Sequence, residues 1–92
     1  MPDKRAHIYY IGDVQGVGFR LTADRLATSL GLTGWVKNTF DGKVEVLCEG
    51  KEQSINIFLE KIVSIFRSYI KDVDIEWAET TGEFDAFDIK ID

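Results

Sequence analysis

The amino-acid sequence predicts an α+β sandwich, a single antiparallel sheet with two helices on one of its faces. Two observations lead there. Apolar residues alternate with a period of two in several short stretches, and two longer stretches between them repeat with the period of a helix. The resulting order is strand, helix, strand, strand, helix, strand, with a short extra strand at the C-terminal end. Two βαβ halves in succession fold naturally as the ferredoxin-like arrangement.

The first strand is expected over Arg5 to Gly12. Ala6, Ile8 and Tyr10 share one face there, and His7, Tyr9 and Ile11 the other. A loop with two glycines follows, Asp13-Val14-Gln15-Gly16-Val17-Gly18-Phe19. From Arg20 the period changes, and Ala23, Leu26, Ala27 and Leu30 form one helical stripe that Gly31 stops. Gly34 to Asn38 reads as a short second strand, with a turn at Asp41-Gly42. Lys43 to Glu49 alternates again, with Val44, Val46 and Cys48 on one face and Gly50 at its end. A long helix should present Ile55, Phe58, Leu59, Ile62, Phe66 and Tyr69 on one stripe. Asp72 to Thr81 places Val73, Ile75 and Trp77 together on a fourth strand, and Phe87, Ile89 and Ile91 suggest the terminal one.

A length of 92 residues suits one domain over 1–92, able to bury roughly 60–65% of the surface its unfolded chain exposes. The net charge of −5 opposes nucleic acid and anionic lipid at long range, so any phosphate site must be built locally from converging donors. A lone cysteine, Cys48, excludes an internal disulfide and favours a reducing, cytoplasmic setting. No apolar run reaches the ~18 residues needed to span a bilayer.

The loop from Gly12 to Arg20 joins a strand to a helix N-terminus, where backbone N–H groups lack partners and the dipole is positive. Glycines let it curl so that successive N–H groups face one anion, and Arg20 could add a charged fork. It is not a Walker loop, because no Gly-Lys-Ser/Thr follows, and it lacks the third glycine of a dinucleotide fingerprint. A phosphate cradle and a plain strand–helix connection whose arginine pairs with a surface carboxylate both remain open on composition alone.

Gly12-x-Val14-Gln15-Gly16-Val17-x-Phe19-Arg20 resembles the acylphosphatase signature at every fixed position. Gly34-Trp35-Val36-Lys37-Asn38, then Asp41-Gly42 and Val44-Glu45, is similar to that family's second block. The resemblance is close over Gly12 to Gly50; beyond it, only element order and Phe84, Phe87 and Ile89 agree. It implies hydrolysis of carboxyl-phosphate anhydrides by direct attack of water. Arg20 and the amides of Gln15, Gly16, Val17, Gly18, Phe19 and Arg20 would hold the phosphoryl group, and Asn38 would position the water. It implies no metal and no cofactor. A small acyl phosphate is the expected substrate, with inorganic phosphate as product and competitive inhibitor, and the protein is expected to act as a monomer. Asp13 fills a free position of the signature, where a carboxylate beside an anion site should weaken capture.

Other conspicuous residues have plainer readings. His7 lies roughly 15 Å along the strand from Gly12 and is expected to be structural or on the surface. Cys48 should be a buried small hydrophobe. Asn38 by itself could simply end a strand. Trp35 and Phe40 are expected in the core or covering the hairpin, and the acids of Asp72 to Glu79 on a solvated edge or face. A single-stranded RNA platform would need aromatic and basic residues on the third strand, which has no aromatic residue and carries Glu45 and Glu49.

Overall fold

A computed structural model describes residues 3–91, so the outermost bounds of the expected 1–92 domain lie outside the described residues. The elements are β1 (Asp3–Gly12), α1 (Phe19–Ser29), β2 (Thr33–Asn38), β3 (Val44–Lys51), α2 (Glu52–Ile65), β4 (Ile70–Glu79) and β5 (Phe87–Ile89). The sheet order is β4-β1-β3-β2-β5. The first four of these strands pair antiparallel, as expected. β5 joins the free edge of β2 and runs parallel to it, which makes the five-stranded sheet mixed. Sequence patterning alone left that edge undecided.

Alternation sorts the sheet's two faces. Ala6, Ile8 and Tyr10 of β1 and Val44, Val46 and Cys48 of β3 are fully buried beneath the helices. Register sets Ala6 beside Cys48 and Ile8 beside Val46, so the two strands present one continuous apolar surface. Ala23 and Ala27 of α1 and Ile55, Phe58 and Ile62 of α2 cover it. Burial pushes the Cys48 thiol up to about 12, so it stays protonated and packs as an apolar group.

Several boundaries depart from the sequence-based expectation, each for a local reason. β3 does not end at Gly50 but runs to Lys51, because Gly50 still pairs with Lys4 and Lys51 with Asp3. α2 stops at Ile65, short of Phe66 and Tyr69. Phe66 turns inward and stacks on Phe19 at 4.4 Å, and its carbonyl accepts from the Tyr69 and Ile70 amides in a tight turn that opens β4. Tyr69 is consequently exposed. Ile75 and Trp77 share the helix-side face of β4 but are over two-fifths exposed, because neither helix reaches across to that edge strand. Phe40 covers nothing and points into solvent at the hairpin tip.

The connection from β4 to β5 must carry the chain from one sheet edge to the other. Glu49, only 5% exposed, holds it. One carboxylate oxygen accepts from the Thr81 amide and hydroxyl and the other from the Gly82 amide, while Arg5 Nε lies 3.0 Å away. A buried carboxylate is tolerated here because donors and an opposite charge surround it.

Candidate active site

The loop after β1 is fixed by its apolar residues. Val14 and Phe19 are buried, Val17 packs against the core, and Phe19 lies between Tyr10 and Phe66. With those side chains turned inward, Gly16 and Gly18 are left on the outer surface. Both have φ near +79°, the left-handed conformation that glycine adopts without strain. A Cβ at either would meet nothing within 4 Å, so the space above them is open to a ligand.

Gly18 caps α1 with no side-chain hydrogen bond, and its carbonyl accepts from the Thr22 amide to close the first helical turn. Among the described residues, none of the N–H groups of residues 15–20 donates to a backbone carbonyl. Those unspent donors, the curl at two left-handed glycines and the positive end of α1 make a concave anion site. Asp13, by contrast, spends its amide on the Tyr69 carbonyl at 2.9 Å, and its side chain is exposed.

Arg20 and Asn38 line one cleft of about 310 Å³, together with Gly16 and Gly18. Asn38 is the last residue of β2 and pairs with Val44 across the hairpin. Arg20 makes no ion pair among the described residues, so it is not the surface-paired arginine of a plain connection. Phe19 lines the cleft as well, whereas Gln15 and Val17, expected in the cradle, lie in the same loop but do not line it. His7 is not. It sits on the open face of the sheet with Nε2 at 2.6 Å from Glu45, beside the Tyr9 hydroxyl that also donates to Glu45.

The Gln15 side chain has a role that sequence reasoning missed. Its amide nitrogen donates to the Thr39 carbonyl at 2.9 Å and the Lys43 carbonyl at 2.8 Å. Both carbonyls belong to the β2–β3 turn, and Thr39 Oγ1 accepts the Lys43 amide in the same turn. One side chain thus ties the glycine loop to the hairpin that carries Asn38. Only the position of Gln15 within the signature hinted at it, since a backbone role needs no particular side chain. Among the described residues no three His, Cys, Asp or Glu side chains form a metal-ligand cluster. No helix among them is long and apolar enough to cross a membrane.

A family model described as Acylphosphatase matches residues 6–89. The acylphosphatase of Caldanaerobacter subterraneus subsp. tengcongensis is 40% identical over 87 residues, covering 94% of this chain and 97% of the relative. The crystal structure of acylphosphatase from Bacillus subtilis superimposes with a TM-score of 0.89 at 34% identity, over 96% of this chain and 99% of that one. An acylphosphatase from Coxiella burnetii gives a TM-score of 0.76 at 30% identity, over 97% and 94% of the two chains.

Proposed function

The chain belongs to the acylphosphatase family and hydrolyses acyl phosphates to a carboxylate and inorganic phosphate, and we propose that Arg20 and the amides of Gln15 to Arg20 hold the phosphoryl group while Asn38 positions the attacking water. The observation that supports these roles is that Gly16, Gly18, Phe19 and Arg20, whose amides and guanidinium find no protein partner among the described residues, line a single cleft with the Asn38 side chain.

The chemistry explains why so few groups suffice. The leaving carboxylate has a conjugate acid of pKa near ~4–5 and departs without a general acid. The transition state is metaphosphate-like, with charge spread over the phosphoryl oxygens, so the protein must position and stabilise more than react. Arg20 offers a planar, permanently charged fork to two of those oxygens. The loop amides meet the remaining charge without reorganising, because Val14, Val17 and Phe19 have already fixed the backbone. Asn38, across the cleft, accepts from and aims the water in line with the carboxylate.

By this reading inorganic phosphate, the product, rebinds the same cradle and competes with substrate. We take residues 1–92 as one catalytic domain acting as a monomer. The cytoplasm is its proposed setting, since a free thiol kept in the core suits a reducing compartment. Steady-state hydrolysis of an aromatic acyl phosphate, with phosphate as inhibitor and Arg20→Ala as control, tests the reading. Turnover that phosphate inhibits competitively and that the variant loses is the expected result. Undiminished turnover by Arg20→Ala would show that the cradle lies elsewhere.

A further inference from the structure

The phosphate cradle occupies only one side of the cleft. The other side is walled by Leu21 of α1, Ile89 of β5 and Ile91 just beyond it. β5 pairs with β2 so that Ile89 lies beside Val36, and the Lys90 amide donates to the Val36 carbonyl at 2.8 Å. Continuing that parallel register brings Ile91 level with Asn38. Asn38, Ile89 and Ile91 therefore share the helix-side face of the sheet, where the first turn of α1 presents Arg20 and Leu21.

These apolar side chains are unusually available. Leu21 is 48% exposed and Ile91 85% exposed, although each borders a polar site. Among the described residues, Arg20 is the only charged one that lines the cleft, and Asn38 the only one with an uncharged polar side chain. Once both are engaged with the phosphoryl group and the water, no described residue of the wall is left to match a charge on the rest of the substrate. A charged acyl group would be desolvated without a partner, whereas an apolar one would cover Leu21 and Ile91 from water.

We propose that Leu21, Ile89 and Ile91 form an acyl-group subsite that selects acyl phosphates with aromatic or branched apolar acyl groups over those with a charged one. The inference rests on the roles given above to Arg20 and the loop, since it takes the phosphoryl end as fixed there. The phosphate oxygens anchor the substrate, and the acyl carbon skeleton lies across the mouth towards Ile91.

The test compares kcat/KM for benzoyl, acetyl and succinyl phosphate in the parent and in Leu21→Ser, Ile91→Ser and Ile91→Lys. Both positions are exposed enough that the substitutions leave the core intact, which thermal melting checks. In the serine variants the preference for benzoyl over acetyl phosphate should fall about tenfold, the scale expected when a small apolar contact area is lost. The change should lie mainly in KM, as the contact is made equally in ground and transition states. Ile91→Lys should shift the preference towards succinyl phosphate, whose free carboxylate then finds a partner. If the parent hydrolyses all three substrates and no variant alters their ratios, the subsite is overturned while the phosphate cradle stands. If the parent hydrolyses none of them, the underlying reading falls and takes the subsite with it.

Discussion

Asn38 and Arg20 lie in one cleft but should fail in different ways when replaced. Asn38→Ala removes an interaction made mainly in the transition state, so kcat should fall by about 10²–10³-fold. Inhibition by phosphate should persist in that variant, because Arg20 and the loop amides remain. A parallel loss of phosphate inhibition would make Asn38 a phosphate ligand instead. Arg20→Lys keeps the charge but loses the planar fork, and turnover and phosphate affinity should collapse together, almost as in Arg20→Ala. Competitive inhibition constants for phosphate, measured beside turnover, separate the two patterns. The place of Arg20 at a helix mouth behind a glycine loop was legible without tertiary information, but composition alone left a surface-paired arginine open, and its expected role came from the resemblance. Asn38 was legible only through the family's second block, since its spacing from Arg20 is set by a hairpin whose position no local pattern encodes. Phe40 shows the limit of composition: an aromatic residue in a turn reads as cover, yet no partner surface comes near it.

At the scale of elements, two polar side chains hold together what the strands and helices only bring close. Gln15 binds the loop to the β2–β3 turn through two carbonyls. Gln15→Ala leaves both without that donor and should cost about 1–2 kcal/mol of stability. Its larger effect should be on catalysis, because displacing Asn38 by ~1 Å relative to the cradle can lower kcat about 10²-fold. Chemical denaturation and kcat, measured on the same variant, show which effect dominates; a stability loss with normal kcat would mean the hairpin is positioned by its strands alone. Glu49 holds the connection between opposite sheet edges. Glu49→Ala leaves the Thr81 and Gly82 amides and Arg5 Nε without their carboxylate, although Arg5 and the Thr81 hydroxyl keep Glu83, and should destabilise the fold by about 3 kcal/mol, or about 12–24 °C in Tm. A shift of only a few degrees would show that water replaces the carboxylate. Alternation along β3 marks Glu49 as solvent-facing, because a strand's period says which face a residue takes and not what later crosses that face. For the same reason β5 could be recognised as a strand but its edge could not, and with it went any view of Ile89 and Ile91 as cleft walls. α2 was overextended because Phe66 continues the apolar stripe even though its stacking on Phe19 requires the chain to turn.

The whole molecule carries a net charge of −5, and its substrate is an anion. Capture therefore works against the long-range field, and raising salt from 10 to 150 mM, which shortens the screening length from about 30 to about 8 Å, should raise kcat/KM. Asp13 is exposed and absent from the cleft lining, so Asp13→Lys acts through this field alone. The variant should lower KM at low salt, leave kcat nearly unchanged, and lose its advantage as salt rises. An advantage that survives high salt would place the side chain in direct contact with the substrate. The position of β1 in the sheet order has a different kind of consequence, one that concerns time. β1 lies between β4 and β3, and Ile8 pairs with Val46 and Ile75, residues 38 and 67 positions further along the chain. A ribosome adding 5–20 residues per second takes roughly 3–13 s to supply the second of those partners. Until then β1 can close only its β3 edge, and the edge that takes β4 waits open, with Asp3, Lys4 and Arg5 at its head as charges that discourage pairing with a neighbouring nascent chain.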